Sequence, residues 1–464
     1  MARNHAADAH AADANVGHQG AEVNEANDVL IIRGGTPLTG EVAAFRAKNS
    51  ALYLMFAALL TDEPVVLEDV PRLADVLVAE EILRHVGVET RWEGHDLHLH
   101  ARNVRTSHAP YSLVSKMRAS FIIMGSLLAR CGEARVSMPG GCAFGPRPVD
   151  RHLTAFRALG AHIDEESGDF YALREAPLAG TVAFEAPTVG GTQNVLLAAA
   201  LGGGDVTVEN AAREPEIPDL AEMLNAMGAD VQGAGTSTIC VRGATRLRGV
   251  RFRPIADRIE AGTYLLAAAA TRGRVTVTDV RPDHLTAVLD ALRSTGAAVA
   301  VGADRVHVDA TGALRPTDVE AREYPGIPTD LQAPFTAYLA TISGRSHVRD
   351  HVYPDRFTHV EELARTGARI SVDERTLEIR GGPLRAAAMH AADIRAGGAL
   401  VVAALAAEGV SEIGGVGSID RGYEGLAERL ASLGADVRRE HAHAGEGPRP
   451  ITSAGEVHVL PLTN

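Results

Sequence analysis

Ala226-Met227-Gly228-Ala229 ends an apolar, helix-like run and opens a short strand-like one. Five relatives of this tetrapeptide lie along the same chain: His85-Val86-Gly87-Val88, Ala158-Leu159-Gly160-Ala161, Ser294-Thr295-Gly296-Ala297, Arg365-Thr366-Gly367-Ala368 and Ser432-Leu433-Gly434-Ala435. Their glycines are 73, 68, 68, 71 and 67 residues apart. Glycine suits the left-handed position that ends a helix, so each turn predicts a helix stop followed by a strand. A fixed period of this kind marks a repeated supersecondary unit. Each unit also carries an Ala/Leu-rich helix running into a β-branched strand. Leu197–Leu201 precedes Val206-Thr207-Val208, Leu265–Ala270 precedes Val275-Thr276-Val277, and Leu400–Ala406 precedes Gly409-Val410. Small residues let such helices pack closely, and they are expected to be buried together.

Six units of alternating strand and helix predict an α/β protein of two domains with three units each. The expected boundaries are 48–255 for one domain, and 28–47 with 256–464 for the other. A link is expected near Arg251–Asp257 and a second, strand-like one near Ala43–Lys48. The strand Val29–Arg33 is spare in the count and is expected to complete the other domain. A chain of 464 residues is long enough for two cores. Clefts between domains favour small molecules.

Composition narrows the function. The net charge of −14 disfavours nucleic acid, so an anionic ligand needs a local cluster of cations. No apolar run is long enough to cross a bilayer. Met1–Asn27 has no apolar centre and reads as a disordered tail, not a secretory leader. The three cysteines form no CxxC pair, which fits free thiols in a reducing cytoplasm. Cys131 and Cys240, near strands, read as buried structural thiols. No Gly-x4-Gly-Lys loop, dinucleotide fingerprint or metal-ligand cluster is present. Of 45 basic residues only Lys48 and Lys116 are lysines, which singles them out as positions where an ammonium is wanted.

The segment Met138-Pro139-Gly140-Gly141-Cys142-Ala143-Phe144-Gly145-Pro146-Arg147-Pro148-Val149-Asp150 is too rich in Gly and Pro for regular structure. It reads as a lid-like loop whose Cys142 thiol is activated by a nearby cation. Arg118, Arg356, Arg395 and Arg421 stand in turn-flanked contexts suited to carboxylate or phosphate capture. Asp330, after Pro325-Gly326-Ile327-Pro328-Thr329, reads either as a helix cap or as a general base.

These motifs resemble one family. Lys48-Asn49, Lys116-Met117-Arg118-Ala119-Ser120, Pro139-Gly140-Gly141-Cys142, Arg147-Pro148-Val149-Asp150, Asn210–Ile217, Pro328-Thr329-Asp330 and Ile419-Asp420-Arg421-Gly422-Tyr423 resemble the UDP-N-acetylglucosamine enolpyruvyl transferases over about residues 28–440. The resemblance implies an inside-out α/β barrel of six βαβαββ units, three per domain. It also implies transfer of the enolpyruvyl group of phosphoenolpyruvate to the 3-hydroxyl of UDP-N-acetylglucosamine, without metal or redox cofactor. Neither a nucleic acid nor a membrane is implied as a partner. By position, Cys142 resembles the acid that protonates the donor, Asp330 the base, and Lys48, Arg118, Arg147, Arg395 and Arg421 the phosphoenolpyruvate ligands. Lys48 is also grouped with the catalytic residues. Asn49, Thr329, Asp330 and Val352 resemble acceptor contacts. Arg147, Pro148, Val149, Asp150 and His152 resemble the uridine pocket, and Thr188, Val189 and Gly190 a diphosphate contact. Departures flank the acceptor side more than the phosphoenolpyruvate side: Arg46 replaces a Gly, Tyr353-Pro354-Asp355 an aromatic-Glu-Asn run, Ser418 a His, and Thr188-Val189-Gly190-Gly191 a Ser-Val-Gly-Ala run. They leave open a paralogue using another uridine nucleotide, such as UMP, in nucleoside-antibiotic biosynthesis. A non-catalytic nucleotide-binding regulator is a third reading, disfavoured by the presence of Lys48, Cys142, Asp330 and Arg421.

Overall fold

The computed structural model describes residues 28–139, 149–353 and 355–441. All six repeat glycines adopt the left-handed conformation, with φ between 86° and 114°. Gly87 and Gly228 cap the helices Ala74–Val86 and Glu216–Met227, their amides returning to carbonyls of the last turn. Their surroundings differ. A Cβ on Gly228 would meet nothing, whereas one on Gly87 would stand 2.6 Å from the Asn103 carbonyl oxygen. Gly228→Ala is therefore expected to cost only the backbone strain, about 1–2 kcal/mol. Gly87→Ala should cost measurably more in urea unfolding, and equal losses would show that crowding at Gly87 is relieved.

Each glycine leads into a strand of a four-stranded sheet, and six such sheets form among the described residues. In the sheet of Gly180–Ala183, Asp205–Glu209, Asp230–Gln232 and Thr238–Arg242, the first two strands are parallel and joined by the helix Val189–Ala199. The helix Glu216–Met227 and a hairpin then complete a βαβαββ unit, with the last strand antiparallel between the second and third.

Three sheets are completed by distant strands. Asp28–Arg33 lies between Val410–Gly414 and Asp436–His441, antiparallel to both. The spare N-terminal strand thus fills the last unit. Thr39–Ala43 pairs in parallel with Arg274–Thr278, while Arg251–Phe252 pairs in parallel with Val65–Leu67. The chain therefore crosses twice between the regions. The first crossing differs from the expected strand Ala43–Lys48: the strand ends at Ala43, and only a bridge between Arg46 and Ala256 follows.

Two hydrophobic cores result. One gathers buried residues between Ala51 and Leu247; the other joins Leu30–Ala44 to Ala256–Leu433. The Ala-rich helices fill their centres. Every residue of Arg258–Ala270 and Gln332–Ala340 is buried, and these helices pack with Ile394–Ala406. An all-round buried helix has no polar face to turn to water.

The cysteine expectation fails. Cys131 and Cys240 are both exposed. Cys131 ends the helix Ile123–Cys131, and Cys240 takes the outward position of an alternating strand whose Ile239 and Val241 point inward. Proximity to a strand says nothing about which face a residue takes.

Candidate active site

The inner helices place charged residues at or beside their N-termini. Lys48 opens Lys48–Ala57, Arg258 opens Arg258–Ala270, and Arg395 is second in Ile394–Ala406. Arg118 opens the 3-10 turn leading into Ile123–Cys131, and Asp330 lies in the 3-10 turn before Gln332–Ala340. Asp257 and Asp393 cap two of these helices through their side chains.

Lys48 is buried, and its Nζ lies 3.0 Å from Asp75 Oδ2. Asp75 Oδ1 accepts from Arg421 Nε at 3.0 Å. Burial alone would raise the Asp75 carboxyl, but Lys48 and Arg421 outweigh it and hold it below the ordinary range. Burial pushes the Lys48 ammonium down against the pull of Asp75, and Arg395 and Asp330 also act on it. This triad ties the first core to the second. The other lysine, Lys116, is exposed and paired with Glu81 at 2.8 Å.

Asp330 sits between two guanidiniums. Arg356 Nη1 is 2.7 Å from Oδ1, and Arg395 Nη2 is 3.3 Å from Oδ2. Burial opposes ionisation, yet Arg395 and Arg356 together hold the carboxyl far below the ordinary range. The same pairing keeps Arg395 cationic despite burial. Asp330 is not a helix cap, because the helix start uses no side-chain cap. Thr329 Oγ1 donates to buried Asp350 at 2.5 Å, and Asp350 Oδ1 accepts the amides of Val352 and Tyr353 at 2.8 Å. Asp350 thereby sets the backbone around Val352. Arg258 pairs with Glu216 at 3.1 Å, a second ion pair between the cores with both side chains under a tenth exposed.

On the first core, His152 lies on the helix Asp150–Ala158, edge-on to Phe121. A Cβ on Gly190 would come within 3.3 Å of its ring. Burial, then Arg118, lowers its pKa to about 4, so the ring is neutral at physiological pH. Thr188 caps Val189–Ala199 through the Gly191 amide at 3.3 Å. Val149 is buried, Asn49 half-buried and Asp150 exposed on its helix's first turn.

The structure thus brings Lys48 and Arg421 onto Asp75, sets Arg395 on Asp330, and gathers His152, Arg118 and Gly190. Cys142, Arg147 and Pro148 lie outside the described residues, as do the tail 1–27 and residues 442–464. Sequence reasoning missed Asp75 and Asp350 and gave Glu216 no role of its own within the Asn210–Ile217 motif, while Arg356, read as suited to anion capture, holds the Asp330 carboxylate. Asp75 sits in an ordinary first helical turn, and only its burial and two cations mark it. No group of His, Cys, Asp and Glu suited to a metal occurs among the described residues, and no described helix is long and apolar enough to cross a membrane.

Residues 32–430 match the family model described as EPSP synthase (3-phosphoshikimate 1-carboxyvinyltransferase). The chain is 56% identical to the UDP-N-acetylglucosamine 1-carboxyvinyltransferase of Thermus thermophilus over 420 residues, covering 90% of this chain and 97% of that one. It is 50% identical to the enzyme of the same name from Deinococcus radiodurans over 429 residues, covering 92% and 99%. Among solved structures, the enolpyruvyl transferase NikO from Streptomyces tendae aligns with a TM-score of 0.81 at 26% identity, covering 90% of this chain and all of that one. An EPSP synthase from Acinetobacter baumannii shares the fold, with a TM-score of 0.68 at 18% identity over 89% of this chain and all of the other.

Proposed function

The chain belongs to the UDP-N-acetylglucosamine 1-carboxyvinyltransferase family, and from that premise we propose that it moves the enolpyruvyl group of phosphoenolpyruvate onto the 3-hydroxyl of UDP-N-acetylglucosamine, releasing phosphate. This is the cytoplasmic reaction that opens peptidoglycan precursor synthesis. The observation that carries the reading is a pair of adjoining charge clusters, Lys48 and Arg421 on Asp75 and Arg395 on Asp330, with Arg395 and Asp330 both acting on the Lys48 ammonium. The cores correspond to two domains, 48–255 and 28–47 with 256–464, arranged as an inside-out α/β barrel.

Each group has a task set by its chemistry. Phosphoenolpyruvate carries a phosphate and a carboxylate, and Lys48, Arg118, Arg147, Arg395 and Arg421 supply the compensating charge. Asn49, Thr329 and Val352 border the amino sugar. Arg147 to Asp150, His152 and Thr188 to Gly190 take the uridine diphosphate. Asp330 accepts the proton of the acceptor hydroxyl as its oxygen bonds to C2 of the donor. Cys142 delivers a proton to C3. The tetrahedral adduct then gives up a proton from C3 as phosphate leaves C2, which restores the double bond as the enol ether, so no electrons are exchanged with a cofactor. Preorganised cations are worth most in a site closed to water. In the ligand-free arrangement Arg395 suppresses the basicity of Asp330. A donor anion that shares Arg395 relieves this suppression, so the base strengthens when the donor is bound.

A phosphate-release assay tests the reading. Release with phosphoenolpyruvate and UDP-N-acetylglucosamine is expected, and release with UMP alone would overturn it. Cys142→Ser is expected to lower kcat by about 10²–10⁴, the usual worth of a positioned acid. Unchanged turnover would remove Cys142 from the mechanism.

A further inference from the structure

Asn194, in the middle of the helix Val189–Ala199, is fully buried and joins three elements. Its Oδ1 lies 2.8 Å from the backbone nitrogen of Gly125, on the helix Ile123–Cys131. Its Nδ2 lies 3.0 Å from His152 Nδ1 and 3.5 Å from the Phe121 carbonyl oxygen. A side-chain amide can usually be turned end for end without changing its shape. Here it cannot. The Gly125 N–H can only donate, so the atom facing it must be the carbonyl oxygen. The NH2 group then faces His152, and because it can only donate, Nδ1 must accept. The ring proton is therefore on Nε2, the side that approaches Gly190 at the start of the Asn194 helix.

The close approach that permits this is built in at Gly125. A Cβ there would stand 2.4 Å from both the backbone oxygen and Oδ1 of Asn194, so no other residue lets the two helices meet at this distance. We propose that Gly125 and Asn194 form a positioning pair that locks His152 as a neutral Nε2–H donor aimed at the nucleotide of the acceptor. Asn194 touches no reacting atom; it acts through His152. The inference rests on the placement of His152 in the acceptor pocket. It deepens that placement by specifying what His152 offers: one directed hydrogen-bond donor without a net charge, suited to a carbonyl or phosphoryl oxygen. Arg118 is the charged group among the described residues that bears on the ring, and it too disfavours the imidazolium. Asp150 and Arg151 on its own helix are exposed.

Asn194→Asp is the discriminating variant. It keeps an oxygen for the Gly125 amide, but it turns the group facing Nδ1 from a donor into an acceptor. The proton should move to Nδ1 or the ring should become charged. Long-range 1H–15N correlation spectra of the full chain with 15N-labelled histidine are expected to show the Nε2–H tautomer of His152 between pH 6 and 8. In Asn194→Asp that signature should disappear. The KM for UDP-N-acetylglucosamine should rise roughly tenfold and gain a pH dependence near neutrality, the worth of one misplaced donor. The KM for phosphoenolpyruvate should stay within about twofold. An Nδ1–H tautomer in the unsubstituted protein would overturn the lock itself. A tautomer change that leaves the acceptor KM untouched would instead overturn the placement of His152 against the nucleotide. Asn194→Gln, which keeps the amide but lengthens its arm, separates positioning from folding. Retained thermal stability with a raised acceptor KM is expected, and a wild-type KM would refute the geometric part of the inference.

Discussion

Asp330→Asn is expected to lower kcat by about 10²–10⁴, the range set by removal of a positioned general base. The substitution keeps the shape and one oxygen, so it isolates charge and basicity. Arg395 and Arg356 both lose their carboxylate partner, at 3.3 and 2.7 Å. Asp330 keeps about a quarter of its side chain exposed, 23%, so the lost pairing is partly repaid by water. A stability loss of about 1–3 kcal/mol is expected, below that of a fully buried pair. The sign of the pH effect follows from the depressed carboxyl. A carboxylate with its folded-state pKa below its unfolded value contributes stability above the unfolded value, near 3.9, and loses it as pH falls through the folded one. Asp330 thus stays ionised throughout the neutral and mildly acidic range, and free-enzyme kcat/KM should show no acid limb from it above about pH 4. Phosphate release and urea unfolding, measured on the same preparation, separate the two effects. A folded Asp330→Asn enzyme with wild-type kcat would sink the base assignment.

Removing Arg258 is expected to be the most damaging structural change of those considered. Arg258→Met leaves Glu216 buried and unpaired between the two cores, and such single deletions cost about 3–5 kcal/mol. The neighbourhood makes matters worse. Burial already raises Glu214, and it pushes Asp219 up to about 6. With Arg258 gone, three carboxyl groups share one poorly hydrated place. A carboxyl whose folded-state pKa lies above its unfolded value stabilises least at high pH. The loss should therefore be larger at pH 8 than at pH 5. The double variant Arg258→Met/Glu216→Met should recover much of the stability, because both charges leave together. Equal losses for the single and double variants would mean that the ion pair itself, and not the stranded carboxylate, holds the cores together.

These two predictions differ in what could be foreseen. Asp330 stood out in the sequence because Pro328-Thr329-Asp330 follows a turn, although spacing could not separate a cap from a base. The uncapped helix start removes the first reading, and the base stays a proposal that Asp330→Asn tests. Asp75 gave no signal, and Glu216 none beyond its place in the Asn210–Ile217 motif, since an acidic residue in a first helical turn is common and favourable wherever it points. Asp75 lies 27 residues from Lys48 and 346 from Arg421. Cys131 and Cys240 were misread for the related reason that exposure depends on a face, which nearby strand residues do not specify.

The repeat is legible along the chain alone. A left-handed helix end is a local demand on one residue, so six glycines at nearly even spacing report six units before any contact is known. The same count leaves Val29–Arg33 over, because a unit count is arithmetic along the chain. Tertiary structure alone decided how the charges pair. Asp75 holds Lys48 and Arg421, Asp330 holds Arg356 and Arg395, and Asn194 fixes the proton on His152. Such pairings depend on where helix ends meet across two cores, and Coulomb energy and desolvation act through space, with no record in the spacing of residues along the chain.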